Sequence, residues 1–302
     1  SRSEREHVFG GIFSFSGLSG TIGVDFGDRS IRLIQLAPQG EGWRVTAAAS
    51  VEVPPGEGEA HRESVADLLR EALEQAPFKG RRVVSSLSAS SMNYKNVRLP
   101  QMPADELRAA VEWEASDRFN TENSAIEFYD AGEVRHGDEM RREVILLAAE
   151  RKLIDDHLNI LTTAGLSPVA IDAAPGALSR CLTPRVEDTT DAQAKVIIDV
   201  GYASTKVLLS RNGRVIFFKL IPVGGRQLNE TVSHHLNMSI DDAAEVRARI
   251  SNQAADETDK PLFGSTRRET VQRAVYEATR ATVEELSKEI GLCLRYFSVT
   301  FR

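Results

Sequence analysis

Two stretches of the sequence share one pattern and decide the fold. They are IGVDFGDRSIRL at Ile22–Leu33 and VIIDVGYASTKV at Val196–Val207, and they align without a gap at an offset of 174 residues. Each stretch starts with apolar residues typical of a strand, continues with Asp-x-Gly, and resumes as a second strand with alternating apolar residues. A repeated strand-turn-strand unit predicts a chain with two halves of similar structure.

Each Asp-x-Gly turn contains the residue types that a phosphate and metal site needs. Gly27 and Gly201 allow a ligand to approach the backbone closely, and successive N–H groups in such a turn form a concave anion site. Asp25 and Asp199 end their strands, where a carboxylate can hold a hydrated divalent cation. Two such turns facing each other would clamp a polyphosphate and its Mg²⁺. Two ordinary hairpin turns are the alternative.

A third segment agrees with a phosphate site. The predicted strand Phe217–Val223 runs into Gly224 and Gly225 and then into a predicted helix. Backbone N–H groups at the start of a helix can face an anion. A plain connection between a strand and a helix is the alternative.

The composition excludes several classes of protein. The chain has 302 residues, of which 41% are hydrophobic, so that it can form a core. Its net charge is −7, and nothing in the composition demands a basic face for nucleic acid. Cys181 and Cys293 lie too far apart in sequence to indicate a zinc knuckle or a disulfide framework. The longest apolar runs are much shorter than a membrane-spanning helix requires.

The first twenty residues differ from the rest of the chain. Residues 1–20 are rich in Gly and Ser and contain three Phe, which predicts a flexible N-terminal segment. A small hydrophobic docking segment is the alternative.

Further elements follow from periodicity and turn residues. Pro103–Phe119 is predicted as a helix with acidic residues in its first turn. Ile126–Val134 and Glu143–Ala149 are predicted strands around a polar turn. Glu269–Leu294 is predicted as a long amphipathic helix, followed by a strand at Tyr296–Arg302.

Several segments together resemble the actin-like ATPases. IGVDFGDRSIRLIQL and IIDVGYASTKVLL are similar to the two phosphate motifs, PVAIDAAPGALSR to the connecting segment, and PVGGRQLNETVSHHL to the Gly-Gly segment of bacterial members. NVRLPQMPADELRAAVEWEASDRF at residues 96–119 resembles the inserted subdomain of one family, the PilM proteins of type IV pilus assembly, which are related to FtsA.

The resemblance implies an α/β, two-lobed, actin-like (RNase H-like) fold. Residues 21–80 with 148–182 would form the first lobe (IA), and residues 81–147 an inserted strand-helix-strand-strand subdomain (1C). Residues 195–302 would form the second lobe (IIA/IIB), incomplete at its C-terminus, because the adenosine motif of the family follows a strand such as 296–302. Since this chain stops before that motif, the expectation is a truncated lobe with weak or absent nucleotide binding.

The resemblance also assigns roles to residues. Asp25 and Asp199 would hold Mg²⁺ through water, and Asp172 would orient the attacking water. Hydrolysing relatives carry Glu or Gln at that position, so the shorter Asp172 predicts at most a weak ATPase. Ala248 stands where relatives carry Lys. The nucleotide contacts would be Gly27, Asp28, Arg29, Ser30, Gly201, Tyr202, Ala203, Ser204, Thr205, Gly224, Gly225 and Glu245.

As for function, the resemblance implies a cytoplasmic scaffold beneath the inner membrane, with ATP and Mg²⁺ as its ligands. It would bind the N-terminal peptide of a PilN-like membrane protein beside the inserted subdomain, at Arg82–Ser88 and Ser90–Leu99, by strand addition. Other platform proteins, similar to PilB, PilC and PilO, would join it. An FtsA-like division scaffold and a small-molecule kinase of the same superfamily are the alternatives. Self-association and the choice among pilus, competence and secretion stay open.

Overall fold

The structure is a computed structural model, and it describes residues 20–182, 194–255 and 265–301. In these ranges the strands are β1 (Ile22–Phe26), β2 (Ser30–Gln39), β3 (Gly42–Glu52), β4 (Arg82–Ser86), β5 (Asn93–Pro100), β6 (Ser124–His136), β7 (Glu139–Glu150), β8 (Ser167–Asp172), β9 (Lys195–Val200), β10 (Thr205–Arg211) and β11 (Arg214–Ile221). The helices in the same ranges are α1 (Gly58–Gln75), α2 (Ala104–Ser116), α3 (Arg151–Thr163), α4 (Ala174–Leu182), α5 (Gly225–Leu236), α6 (Ile240–Ala255) and α7 (Ser265–Thr300). The flexible segment predicted at 1–20 lies outside the described residues except for Gly20.

The described residues divide into two compact units. One unit contains the described residues up to 197, together with 208–220 and Phe301. The other contains 198–207 and the described residues of 221–300. A further sheet has the strand order β11-β10-β9.

Five strands form the main sheet of the first unit, in the order β3-β2-β1-β4-β8. β1 pairs antiparallel with β2 and parallel with β4, and β4 pairs parallel with β8. Parallel neighbours end at the same edge, so the carboxyl ends of β1, β4 and β8 lie side by side. Ligands of open α/β sheets bind at that edge.

One face of this sheet packs against two helices. Ile31 and Leu33 point to that face, where they join Val65 and Leu69 of α1 and Leu161 of α3 in one buried cluster. The apolar residues of α1 recur every three to four positions, which gives the helix one buried side. This packing fixes the strands whose ends form the candidate site.

A buried histidine on α3 contacts the main sheet. The Nε2 atom of His157 on α3 is 2.7 Å from the Ser85 hydroxyl on β4, and the His157 ring meets the Phe26 ring edge-on at 4.4 Å between centroids. Burial lowers the pKa of His157 to about 4. His157 is therefore neutral at pH 7 in the folded chain.

The first unit also contains a small sheet, in the order β5-β7-β6, covered by α2. The predicted helix Pro103–Phe119 is confirmed as α2, and the strands around the polar turn are confirmed as the hairpin β6–β7. Val97, Leu107 and Val111 contribute to the core between helix and sheet. These elements form the strand-helix-strand-strand insertion. The bounds predicted for the lobes stay predictions.

The second unit contains the three helices α5, α6 and α7. Val232 of α5, Ala243 of α6 and Val275 of α7 form its buried cluster. The strand predicted at Tyr296–Arg302 is wrong, because α7 continues to Thr300. Cys293 and Thr300 are both buried and lie two helical turns apart, so helical periodicity prevails over the β-branched and aromatic composition of this stretch.

Among the described residues, no helix is both long enough and apolar enough to cross a membrane.

The depressed pKa of His157 predicts a specific pH dependence of stability. Between about pH 6.5 and pH 4 the unfolded chain takes up a proton on this side chain that the folded chain does not, so the free energy of unfolding falls as the pH falls. The loss should amount to about 3 kcal/mol at pH 4. Urea unfolding of wild type and His157→Gln from pH 7 to pH 4 measures it. The variant should lose less stability on acidification.

His235→Gln, at an exposed histidine, is the matched control and should follow the wild type. Parallel pH curves for wild type and His157→Gln would contradict the assignment.

Candidate functional site

The first predicted phosphate turn connects β1 and β2 and is closed by one backbone hydrogen bond. The N–H of Gly27 donates to the carbonyl oxygen of Ser30 at 3.0 Å. A Cβ atom added at Gly27 would lie 2.9 Å from that oxygen, closer than real Cβ contacts. The turn therefore requires glycine because of this approach distance.

Three polar residues stand in one row at the carboxyl ends of β1, β4 and β8. Asp25 is in register with Ser86, and Ser86 is in register with Asp172. The Ser86 hydroxyl donates to the Asp25 carboxylate at 2.9 Å. The structure thus brings the predicted metal residue and the predicted catalytic residue to the same sheet edge. Ser86 is a residue that sequence reasoning missed, since it lay inside the predicted strand Arg82–Ser88 and only the structure ends that strand at Ser86.

The Asp172 carboxylate is bound by two neighbouring groups. It accepts a hydrogen bond from the N–H of Ala173 at 2.8 Å and forms an ion pair with Arg180 of α4. Burial raises the pKa of Asp172, while Arg180 and the Ala173 N–H act in the opposite direction. A carboxylate with these partners is restrained from orienting a water molecule.

The remaining side chains of the first turn also have protein partners. The Asp28 carboxylate accepts hydrogen bonds from the hydroxyls of Ser88 and Ser90, which follow β4. Arg29 forms an ion pair with Glu52 at 3.8 Å. A carboxylate fixed in the turn repels a phosphate and attracts a cation, so the first turn suits a cation-bridged phosphate better than a bare one.

The second predicted turn connects β9 and β10 and repeats the closure of the first. The N–H of Gly201 donates to the carbonyl oxygen of Ser204 at 2.9 Å, and an added Cβ would lie 2.8 Å from that oxygen. Thr205, fully buried, donates its hydroxyl to the Val223 carbonyl at 2.7 Å. The two predicted phosphate turns therefore match in backbone geometry as well as in sequence. Tyr202 and Ala203 complete this turn.

Each predicted metal carboxylate faces a basic side chain seven residues later. Asp25 lies 3.8 Å from Arg32, and Asp199 lies 2.7 Å from Lys206. Arg32 and Lys206 occupy the same position of the sequence repeat, which was the signal that sequence reasoning overlooked. Both pairs are part of the repeated unit.

The Gly-Gly segment attaches the start of α5 to the second turn. The N–H groups of Gly225 and Arg226 donate to the carbonyls of Gly201 and Tyr202 at 2.9 and 2.8 Å. An added Cβ at Gly224 would lie 2.5 Å from the Tyr202 carbonyl oxygen, whereas one at Gly225 would meet only ordinary contacts from 3.7 Å. Gly224 is therefore the glycine that the packing requires.

Helix α6 brings a different residue to this segment than the sequence suggested. Glu245 forms an ion pair with Arg249 at 2.6 Å on the exposed surface of the helix. Arg247 instead donates to the Gly225 carbonyl at 3.2 Å and to the side chain of Asn229. Burial lowers the pKa of Arg247. The sequence analysis assigned no role to Arg247, which directly precedes Ala248.

The predicted site residues fall into two groups, one in each unit. Asp25, the turn 27–30 and Asp172 belong to the first unit, and Asp199, the turn 201–205 and the Gly-Gly segment belong to the second. Within the described ranges, no three His, Cys, Asp or Glu side chains cluster closely enough to hold a metal by themselves. The nucleotide and metal roles of these residues stay predictions.

The fold of the chain is the fold of the actin-like ATPases. A solved structure described as the PilM-PilN type IV pilus biogenesis complex is similar, with a TM-score of 0.72 and 23% identity over 93% of this chain and 78% of that chain. The ethanolamine utilization protein EutJ from Carboxydothermus hydrogenoformans is similar with a TM-score of 0.51 and 13% identity, over 90% of this chain and 71% of that chain. These likenesses confirm the predicted fold.

The family follows from the sequence profile described as type IV pilus assembly protein PilM, which matches residues 23–286. The chain belongs to the PilM family of type IV pilus assembly proteins. It is also 22% identical over 171 residues to the cell division protein FtsA of Bacillus subtilis (strain 168), over 54% of this chain and 38% of FtsA. The chain thus spans less than half of the length of that relative.

The contacts at the two glycines predict opposite tolerance to alanine. Gly224→Ala would drive a methyl group into three backbone atoms of the second turn, and it should lower the free energy of unfolding by about 1–3 kcal/mol. Gly225→Ala, the matched control, should change it by less than about 1 kcal/mol, because its Cβ has room. Urea unfolding of both variants measures the difference. Equal losses would contradict this account of the turn.

Proposed function

We propose that this chain is a scaffold of type IV pilus assembly that binds the N-terminal cytoplasmic peptide of a PilN-like membrane protein. Membership of the PilM family carries the proposal, and the likeness to a structure solved as a PilM-PilN complex supports it. The small sheet with α2 adds a surface beside the main sheet of the same unit. A scaffold requires a surface that binds its partner, and it does not require rapid ATP hydrolysis.

We assign the peptide to the edge of β5. β4 is hydrogen-bonded to β1 on one side and to β8 on the other, which excludes strand addition at Arg82–Ser88. β5 pairs with β7 and forms an edge of the small sheet. An edge strand presents N–H and C=O groups that an extended peptide can pair with. Its first half also contacts β11, since the rings of Tyr94 and Phe218 lie 4.6 Å apart.

Strand addition at β5 predicts a local change in amide exchange. Adding the N-terminal peptide of the PilN-like protein should slow exchange in Asn93–Pro100 by at least about tenfold, because new hydrogen bonds protect those amides. The edge strand β3 of the main sheet is the internal control and should not change. Hydrogen exchange with mass spectrometry measures both segments. Peptide binding with protection only elsewhere would contradict the β5 assignment and keep the scaffold role.

A second part of the proposal is that the two turns bind ATP with Mg²⁺. Asp25 and Asp199 would hold the hydrated cation, and both carboxylates are open to solvent, with exposures of 61% and 41%. Mg²⁺ usually keeps several waters and is held by one or two carboxylates plus substrate phosphates, which fits these two side chains. The turn backbones would face the phosphates, and Gly224 and Gly225 would approach the phosphates or the ribose. Any hydrolysis is slow, since Asp172 is held by Arg180.

Calorimetric titration with ATP tests the nucleotide part. Wild type should bind ATP more tightly with Mg²⁺ than without it, and Asp199→Asn should lose at least about tenfold in affinity, or about 1.4 kcal/mol, in the presence of Mg²⁺. Asp67→Asn, at a surface ion pair on α1, is the control and should bind like wild type. If wild type gives no heat of binding, the nucleotide part of the proposal is contradicted, whereas the peptide part is unaffected.

The family match favours pilus assembly over the two alternatives, an FtsA-like division scaffold and a small-molecule kinase. In the proposed role the chain lies at the cytoplasmic side of the inner membrane, held there by its partner. Contacts with platform proteins similar to PilB, PilC and PilO, and self-association, are further parts of the proposal.

A further inference from the structure

Helix α2 exposes a tryptophan on the side that faces away from the small sheet. Leu107, Val111 and Ala115 recur every four residues and form the buried side of the helix. Trp113 lies on the opposite side, and its exposed fraction is 68%. Tryptophan is among the residue types most enriched in the binding hot spots of protein interfaces. An indole ring this exposed therefore marks a candidate contact surface.

The neighbours of this ring on the same side of α2 are small or acidic. Because an α-helix has 3.6 residues per turn, Glu106, Ala109 and Asp117 project from the side that carries Trp113. We call these four residues the Trp113 face. Glu106 and Asp117 are exposed, and neither carboxylate forms an ion pair with any residue that the structure describes. The ring thus lies between two solvated carboxylates.

The two arginines of this region bind other groups. The Arg108 guanidinium lies over the Phe128 ring at 5.5 Å from the centroid, and it is 3.8 Å from the Glu127 carboxylate. Arg118, which follows α2, forms an ion pair with Glu114 at 2.7 Å. Both arginines are directed to these partners, so the Trp113 face keeps its negative charge.

The stability of α2 does not by itself account for Asp117. An acidic residue in the first turn, such as Glu106, is stabilised by the positive end of the helix dipole. Asp117 is the C-cap residue at the other end, where the dipole disfavours a carboxylate. Recognition of a cation explains its position better than helix stability does.

We propose that the Trp113 face binds an arginine-bearing segment of a partner protein. A guanidinium can stack on the face of an indole ring and donate hydrogen bonds to a neighbouring carboxylate at the same time. The negative charge of the surface repels nucleic acid and anionic lipid, which leaves a basic protein segment as the occupant that fits. The surface is distinct from the β5 edge, so it does not depend on the assignment of the PilN-like peptide.

The dimensions of the Trp113 face suit an extended segment. At a rise of about 1.5 Å per residue, Glu106 and Asp117 lie about 16 Å apart along the helix. An extended segment of about five residues spans that length, and its alternate side chains point to one side. Arginines at every second position would therefore reach both carboxylates and the ring of Trp113.

Fluorescence anisotropy of a labelled five-residue peptide, with arginine at positions one, three and five and serine between, tests the proposal. Wild type should bind it at low salt, about 20 mM. Trp113→Leu should bind it at least about fivefold more weakly, because leucine is apolar but offers no ring face to a guanidinium. Trp43→Leu, at the other exposed tryptophan, is the matched control and should bind like wild type. The same peptide with lysine should bind more weakly, because an ammonium group lacks the planar fork of arginine.

The charge of the Trp113 face is tested in the same assay. Asp117→Asn should weaken binding of the arginine peptide, whereas Asp67→Asn, on α1, should not. No binding by wild type, equal affinity of wild type and Trp113→Leu, or equal binding of a glutamine peptide would each overturn the proposal. Sedimentation velocity without peptide is the further arm, and a wild-type dimer that Trp113→Leu abolishes would assign the face to a second copy instead. Far-UV circular dichroism verifies that each variant is folded.

Discussion

Both halves of the sequence repeat depend on one backbone contact, in which a glycine N–H donates to the carbonyl three residues later. At Gly27 and at Gly201 that carbonyl lies where a side chain would begin, so any other residue at the position would displace the backbone of the turn. The closure holds an Asp at the end of its strand and turns the chain into the next strand. In the second half α5 adds to this arrangement, because Gly225 and Arg226 bond to the carbonyls of the same turn. A change at the glycine therefore affects the carboxylate, the returning strand and the helix start together.

The two halves share this geometry and differ in their electrostatics. The pair of Asp25 with Arg32 is longer and more exposed than the pair of Asp199 with Lys206, so solvent screens it more strongly. The first turn also holds the Asp28 carboxylate, where the second turn has Tyr202. In the second unit the Arg247 guanidinium lies beside the Gly-Gly segment. In the proposed nucleotide role, anion affinity would accordingly reside mainly in the second half, while the first half would contribute a carboxylate for the cation.

The sequence predicted the repeated strand-turn-strand unit, but it did not predict the features that depend on tertiary contacts. The strand-turn-strand unit could be predicted because its strands, Asp and glycines recur at one fixed offset. Ser86 gave no signal, since its importance comes from standing between Asp25 and Asp172 in a sheet whose strand order the sequence does not state. Arg247 was assigned no role, because the neighbours of a helical residue cannot be known before the two helices are packed. The end of α7 was missed because local strand propensity was weighed above the helical spacing of Cys293 and Thr300.

The surroundings of Asp172 favour a scaffold over a fast ATPase. A residue that orients water must be able to turn its carboxylate toward that water, yet here one oxygen accepts from the Ala173 N–H and the other faces Arg180, which fixes the carboxylate. The same cluster reaches the small sheet, because the Tyr129 hydroxyl of β6 bonds to the backbone of Gly176 in α4, next to Arg180 in space. The end of the main sheet and the inserted subdomain thus share one set of contacts within the first unit. The carboxylate that was expected to serve catalysis therefore belongs to a set of contacts that joins the insertion to the end of the main sheet.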